Sequence, residues 1–176
     1  MKNTRLRQDD WVEAGFRALL SGGPQALKAE PLARALGTTK GSFYWHFKDV
    51  QAFHERMTAQ WEEQALSGMI AEIKKQETPL ASLHHFIQLI ASDLTIEPAM
   101  RAWANSAPHV AIAVQQVDDA RQTYLTLLLK QCGVGNPEIA QALYAAALGA
   151  QILTGGTPTS ASGPLSTLVD LILALR

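Results

Sequence analysis

The side chains between residues 39 and 48 have the types and spacing expected of a surface that binds a polyanion. Phe43 and Phe47 lie four residues apart, so on a helix they share one face, which we expect to pack inward. Ammonium, hydroxyl and imidazole groups bond phosphate oxygens, and a lysine also reaches guanine. Such groups predominate at the outward positions, which are Lys40, Gly41, Ser42, Tyr44, Trp45 and His46. The pattern predicts contact with DNA, but spacing alone leaves open that the aromatic residues are core residues of a helical bundle.

Three short helices must position this face. Apolar residues recur with helical spacing over residues 8–21, 28–36 and 39–46. Gly37 is placed to end the second helix, and Thr38 or Thr39 can cap the third. Two helices joined by a tight turn that contains glycine form a helix–turn–helix, whose second helix can enter the major groove of DNA.

The rest of the chain is also predicted to be helical, because period-two alternation and β-branched runs are nearly absent. A stripe with one apolar residue every four positions indicates a long fourth helix, and its members are Phe53, Met57, Trp61, Ala65, Met69 and Ile73. Five further helices are predicted, with bounds near Pro79–Asp93, Pro98, Pro108–Gly133, Pro137 onward and Leu165–Leu175, and a loop over 154–164. The expected fold class is all-α, with about nine helices, beginning with a three-helix helix–turn–helix domain.

Composition and charge narrow the class of protein. The 176 residues carry a net charge of −1, so the chain as a whole is not a basic nucleic-acid coat. Residues 1–50 carry a small excess of basic side chains and residues 51–176 an excess of acidic ones, which suits a basic head but is equally compatible with random scatter. The single cysteine, Cys132, excludes an internal disulfide and is expected to be a buried small hydrophobe. A polar start and the lack of a long apolar run favour a soluble cytoplasmic protein.

The segment LARALGTTKGSFYWHF, residues 32–47, resembles the DNA-binding domain of the TetR family. The family pattern is roughly LA-x-x-x-G-[VT]-[ST]-x-x-x-[LF]-Y-x-HF, and the resemblance extends over about residues 8–64. It implies a homodimeric transcription factor, usually a repressor that a small ligand releases from double-stranded DNA. It also implies base and phosphate contacts from Thr39, Lys40, Gly41, Ser42, Tyr44, Trp45 and His46.

Two positions depart from the family pattern. Lys28 stands where the family often has a serine or threonine at the start of the second helix, and Val50 stands where it often has a lysine. Lys28 can still meet a phosphate, and Lys48 is the cation nearest to Val50. Both lysines therefore join the predicted DNA contacts, while the affinity for DNA is expected to depend on these departures.

The resemblance divides the chain into a helix–turn–helix domain over residues 4–64 and a ligand-binding and dimerisation domain over 65–176. The last two helices are rich in small and apolar residues, which favours a dimer interface, although both helices could instead belong to a monomer core. The predicted interface residues are Leu143, Ala147, Ala150, Leu168, Leu171 and Ile172. The predicted pocket residues are Phe86, Ile90, Trp103, His109, Tyr124 and Tyr144, each of which could equally be a core residue.

No motif for catalysis, a nucleotide cofactor or a metal is present in the sequence, so we expect no enzyme, no cofactor and no metal site. Asp118 and Arg121 are interpreted as a surface ion pair. The leading hypothesis is a repressor that binds a near-palindromic operator and is released by a small, largely apolar ligand. The alternatives are a DNA-binding protein without a small-molecule effector, architectural or protein-partnered, and a small helical enzyme.

Overall fold

The computed structural model describes residues 6–92, 96–153 and 158–175, in which every regular element is helical. No strand occurs within these ranges, and the predicted all-α class is confirmed. The elements in chain order are α1 (Gln8–Gly22), a 3-10 turn (Pro24–Ala26), α2 (Ala29–Ala35), α3 (Lys40–His46), α4 (Val50–Glu63), a π-helical segment (Gln64–Gly68), α5 (Met69–Ile73), α6 (Pro79–Ser92), α7 (Ile96–Ala104), α8 (Pro108–Gln131), α9 (Pro137–Leu153) and α10 (Pro158–Ala174).

Helix α4, the π-helical segment and α5 follow one another without a break from Val50 to Ile73. They form the long fourth helix that the four-residue apolar stripe predicts. Counted as one, they leave nine helices in the described part of the chain, in agreement with the predicted number.

The predicted loop over residues 154–164 is wrong for its C-terminal part. Helix α10 begins at Pro158 and continues through Pro164, whereas residues 154–157 lie outside the described residues. Proline at the first helical position lacks only an N–H that has no helical partner there, so Pro158 starts a helix instead of breaking one. The segment is rich in Gly, Ser, Thr and Pro, a composition typical of loops, so the sequence does not indicate that a helix begins there. Asp93, the expected end of the helix that begins at Pro79, also lies outside the described residues.

Two compact units make up the fold. The head unit comprises the residues up to Glu62 together with Pro98–Val114, and the body unit comprises Glu63–Glu97 and the residues from Gln115 onward. The functional division at residue 64 stays a prediction. No helix in the described part of the chain has both the length and the apolar character needed to cross a bilayer.

A cluster of aromatic rings forms the core of the head unit. The ring centroids of Trp11 and Phe43 are 5.4 Å apart, those of Phe43 and Phe53 also 5.4 Å, and those of Phe47 and Phe53 5.1 Å, each pair in an edge-on arrangement. Such pairs add about 0.5–1.5 kcal/mol each to the energy of burial. Helix α1 approaches α4 at Gly15, where a Cβ atom would lie 2.6 Å from both Met57 Sδ and Phe53 Cζ. The cluster fixes α3 to the two longer helices.

The core of the body unit is aliphatic. Residues of α6, α8, α9 and α10 interdigitate in it, and its fully buried members include Leu83, Ile90, Leu125, Leu143, Ala147 and Val169. Cys132 is buried at the edge of this core, as expected of a small hydrophobe. The Gln151 amide donates to the carbonyl oxygen of Ile90, and the His84 imidazole lies 3.2 Å from Asp170. These polar contacts link α6 to α9 and to α10.

Candidate DNA-binding surface and body cavity

The turn between α2 and α3 has the geometry that the sequence predicts. Gly37 has a φ of 63°, and its N–H donates to the carbonyl of Arg34 at 3.2 Å. The N–H of Thr38 donates to the carbonyl of Ala33 at 2.9 Å, which completes a Schellman ending. Thr39 then caps α3, because its Oγ1 accepts from the N–H of Ser42 at 3.3 Å. The turn therefore fixes where α3 begins.

The other end of α3 is held by α1. The side-chain amide of Gln8 donates to the carbonyl of His46 at 2.8 Å, and the N–H of Phe47 donates to the carbonyl of Phe43 at 3.0 Å. An ion pair of 3.3 Å between Arg56 and Asp9 ties α4 to the first turn of α1. Helix α3 is short, but both of its ends and its inner face are fixed.

The outer face of α3 presents aromatic and cationic groups to solvent. Trp45 is 87% exposed and Tyr44 46% exposed, whereas Phe43 and Phe47 are buried. The alternative that all these aromatic residues are core residues is therefore wrong for Tyr44 and Trp45. Lys40 is exposed beside them, with its Nζ 6.0 Å from the centre of the Tyr44 ring. Thr39, Gly41 and Lys48 are also exposed, and Ser42 and His46 are half-buried.

A groove of about 410 Å³ runs beside this face. Its lining residues come from α2 and the residue before it, from α3, and from the first residue of α4. They are Lys28, Ala29, Glu30, Pro31, Arg34, Lys40, Tyr44 and Val50. Glu30 is paired with Arg34 at 3.0 Å, which leaves Lys28 and Lys40 as the excess positive charge among these residues. Lys28 precedes α2 without capping it through its side chain. The groove thus gathers Lys28, Lys40, Tyr44 and Val50. Arg34, which the sequence does not single out, also lines it.

Trp103 and His109, both predicted to line a pocket, lie in the head unit around His54. The ring centroid of His54 is 5.1 Å from that of Trp103 and 6.3 Å from that of His109, which stacks parallel to it. His54 donates from Nε2 to the carbonyl of Leu27 at 3.0 Å. Burial lowers the pKa of His54, the Leu27 carbonyl partly offsets this, and the neighbouring His109 adds to the lowering.

The remaining predicted pocket residues lie in the body unit, where two of them line a cavity. Phe86 and Tyr124, with ring centroids 5.7 Å apart, are part of the wall of a cavity of about 70 Å³. Its other lining residues are Ala65, Leu66, Met69, Ile70, Ala120 and Arg121. Ile90 and Tyr144 are buried in the adjacent core. The six predicted residues are thus divided between the two units.

Arg121 is not on the surface, so the predicted surface pair with Asp118 is wrong. The Arg121 side chain is 2% exposed and that of Glu97 0%, and Nη1 of Arg121 donates to both carboxylate oxygens of Glu97, at 2.8 and 2.6 Å. Burial alone lowers the pKa of Arg121, but the charge of Glu97 and its hydrogen bonds outweigh burial and raise it. Asp118 accepts from the Tyr144 hydroxyl at 2.6 Å, and burial raises the pKa of Tyr144.

The predicted interface residues differ in what they can offer a partner. Leu143 and Ala147 are fully buried in the core of their own chain, so they have no surface to give and the assignment to an interface needs correction there. Ala150, Leu168 and Ile172 are half-buried and Leu171 is exposed. Large apolar side chains are also exposed near the ends of α9 and α10, namely Ile152, Leu153 and Leu175. Of the small residues on α9, Ala147 therefore packs inside the chain, whereas Ala150 lies partly at its surface.

Comparison with known proteins agrees with this architecture. Residues 12–56 match the family model of the bacterial regulatory proteins of the tetR family. A TetR-family transcriptional regulator from Streptomyces coelicolor has a TM-score of 0.78 at 14% identity, over 95% of this chain and 88% of its own. A transcriptional regulator from Rhodococcus sp. RHA1 has a TM-score of 0.76 at 17% identity, over 97% of this chain and 95% of its own.

A third structure, a candidate transcriptional regulator from Saccharomonospora viridis in complex with choline, has a TM-score of 0.78 at 14% identity, over 93% of this chain and 95% of its own. No curated protein matches the sequence. The resemblance seen in residues 32–47 is confirmed. Residues 12–56 form a TetR-type N-terminal domain, and the chain has the fold of TetR-family transcriptional regulators.

Proposed function

We propose that the chain is a homodimeric transcriptional repressor that inserts α3 into the major groove of a near-palindromic operator. The observation that carries the proposal is the exposure of Tyr44 and Trp45 beside Lys40 on a helix whose other face is locked into an aromatic core. Exposed aromatic groups on a rigid helix are costly in water but suit base edges and sugar–phosphate surfaces. The protein acts in the cytoplasm, without a cofactor and without catalysis.

The proposed contacts divide between phosphates and bases. Tyr44, His46 and Thr39 bond phosphate oxygens through their hydroxyl and imidazole groups, and the two lysines that flank the helix–turn–helix, Lys28 and Lys48, attract phosphates by charge. Three residues remain for base edges: Lys40 for guanine, Ser42 for any base, and Trp45 for thymine methyl groups, while Gly41 permits close approach of the backbone. Val50 supplies no charge in the groove, so Lys28 is the proposed substitute.

The proposed dimer uses the exposed apolar surface of α9 and α10. Leu153 is 87% exposed, and Leu171 on α10 and Leu175 directly after α10 add apolar area. Two such helices from each chain can form a four-helix interface, and a two-fold axis would present two α3 helices about one DNA turn, ~34 Å, apart. Replacing Leu153 and Leu171 by glutamate is expected to give monomers in analytical ultracentrifugation, while replacing exposed Leu20 on α1 in the same way should leave the dimer intact.

The effector is proposed to bind in the body unit and to favour one of two dimer spacings, which is the thermodynamic requirement for release. The relative from Saccharomonospora viridis was solved with choline bound, which supports a ligand in this fold. The cavity of about 70 Å³ is smaller than typical ligand sites of roughly 300 Å³ or more, so an effector bound there must be small and must widen the cavity. The same small volume is the observation behind the second candidate, a DNA-binding protein without a small-molecule effector. Ligand titration against the operator complex separates the two.

The deciding experiment is selection of binding sites from random duplex DNA, followed by fluorescence anisotropy with the selected duplex and a scrambled one. We expect binding at least ~1000-fold tighter to the selected duplex. Tyr44→Ala should weaken operator binding strongly and Tyr44→Phe less, because phenylalanine loses only the hydroxyl. Lys74→Ala, which removes an exposed cation from the body unit, is the control and should bind as the unchanged protein does. Equal affinity for both duplexes would refute the proposal.

A further inference from the structure

A buried charged side chain forms part of the cavity wall in the body unit. The cavity lies between the π-helical segment, α5, α6 and α8, and its lining is otherwise apolar or aromatic. Arg121 is the charged residue among the described residues that line it. A charge in an apolar wall requires partners, so its hydrogen bonds indicate which chemistry the cavity suits.

The guanidinium of Arg121 is only partly satisfied by the protein. Its Nη1 donates to both oxygens of Glu97, and a hydrogen bond to Tyr144 helps to raise its pKa. Its Nε, by contrast, is buried and has no acceptor among the described residues. A guanidinium has five N–H donors, and each buried donor without an acceptor lowers the stability of the folded state. Nε itself has almost no accessible surface, so a molecule in the cavity reaches it only when a neighbouring side chain moves. A molecule that then places an acceptor oxygen beside Nε would relieve this cost.

The charges around Arg121 decide what kind of acceptor fits. Glu97 already neutralises the guanidinium, and Asp118 accepts from the Tyr144 hydroxyl, on which Arg121 also acts. A carboxylate ligand would add a further negative charge to two carboxylates and one cation. An ammonium ligand has no lone pair with which to accept a hydrogen bond from Nε of Arg121. A neutral oxygen acceptor avoids both penalties.

We propose that this cavity binds a small neutral molecule with an apolar body and a carbonyl oxygen that accepts a hydrogen bond from Nε of Arg121. Phe86 and Tyr124 pack on the apolar body, and the flexible Met69 side chain moves to widen the cavity of about 70 Å³. The inference deepens the proposed function by naming the effector class, and it depends on that function for its regulatory meaning.

The test uses three probes with the same number of heavy atoms: 2-heptanone, hexanoate and heptylammonium. Binding to the full chain is followed by the ¹⁵N–¹H resonance of Arg121 Nε, identified by its disappearance in a variant that lacks Arg121. We expect 2-heptanone to shift this resonance and to bind at least about tenfold more tightly than the two charged probes. Equal or tighter binding of hexanoate or heptylammonium, or no shift of this resonance with 2-heptanone, would overturn the proposal.

A double variant tests the role of the side chain without leaving a lone buried charge. Arg121→Met with Glu97→Met removes both partners of the ion pair, a change that proteins often tolerate. We expect about a tenfold loss of 2-heptanone affinity, the loss typical of one hydrogen bond to a charged group. Lys130→Met removes an exposed cation from the same helix and should bind 2-heptanone as before. Undiminished binding in the double variant would refute the assignment, and if that variant does not fold, the Nε resonance of the unchanged protein decides.

Operator binding measured on the same samples separates this inference from the proposed function. Binding of 2-heptanone at Arg121 in a protein without sequence-selective DNA binding would uphold the cavity assignment and refute the repressor proposal. Selective DNA binding without any response of Arg121 to 2-heptanone would refute the cavity assignment alone.

Discussion

Replacing Gly15 by alanine tests whether the close contact between α1 and α4 supports the helix–turn–helix. The added Cβ would lie 2.6 Å from both Phe53 Cζ and Met57 Sδ, well inside van der Waals contact. The Met57 thioether is flexible and can move away. The Phe53 ring is held edge-on against Phe43 and Phe47, with centroids 5.4 and 5.1 Å away, so it cannot move without disturbing α3.

Helix propensity and steric crowding have opposite effects on the free energy of unfolding of Gly15→Ala. Alanine in a helix interior is favoured over glycine by about 1 kcal/mol, whereas an overpacked core costs typically 1–3 kcal/mol and a displaced aromatic pair about 0.5–1.5 kcal/mol more. We therefore expect Gly15→Ala to lower the free energy of unfolding by about 1–3 kcal/mol. Gly68 is the matched control, because its backbone is helical with φ −62° and ψ −48° and a Cβ added there would meet nothing within 4 Å.

Urea unfolding followed by tryptophan fluorescence measures both variants. Gly68→Ala should raise stability by about 0.5–1 kcal/mol, since only the helix preference acts there. The reasoning would be refuted if Gly15→Ala stabilised the protein as much as Gly68→Ala does. Operator affinity measured well below the unfolding midpoint should fall in Gly15→Ala, because α3 shares the displaced ring.

Three further predictions concern charge. Lys48→Ala should lower operator affinity and reduce the slope of log affinity against log salt by about 1, as measured by anisotropy at several salt concentrations. An unchanged slope would mean that Lys48 contacts no phosphate. Glu97→Ala should cost about 3–5 kcal/mol in urea unfolding, because it leaves the buried Arg121 uncompensated, and a cost under about 1 kcal/mol would contradict the burial of this pair. Burial lowers the pKa of His54 in the folded state, so its contribution to stability is complete above the unfolded pKa near 6.5 and declines as pH falls below that value. The difference in unfolding free energy between pH 7.5 and 5.5 should therefore shrink in His54→Gln, and an undiminished difference would assign the pH dependence to other groups.

The helix–turn–helix could be predicted in detail because its determinants are local. Phe43 and Phe47 face the core because they lie one helical turn apart, and Gly37 and Thr39 adopt the ending and the cap that their residue types favour. The exposure of Trp45 follows from the same periodicity. Each of these inferences needs fewer than ten residues of sequence.

The body unit resisted prediction because its determinants are distant in sequence. The partner of Arg121 is Glu97, 24 residues away, whereas helical spacing points to Asp118, three residues away. Small and apolar residues fit a dimer interface and a core equally well, and burial places Leu143 in the core. Residue type alone does not distinguish Tyr124, which lines the cavity, from Trp103, which lies beside His54.

The π-helical segment at Gln64–Gly68 makes the direction in which the side chains of the long helix point depend on the exact number of residues in it. Four residues at ~100° each overshoot a full turn by about 40°, so a stripe repeated every four residues would wind off the buried side of a regular α-helix. A π turn places more residues in each turn and rotates less per residue, which counteracts that winding. Ala65 within the segment and Ile73 beyond it are both buried. Deleting one residue such as Ser67 would therefore rotate Ile73 by about a quarter turn relative to Ala65 and take it off the buried side. Insertions or deletions are expected to be tolerated in the surface turns of this protein but not here.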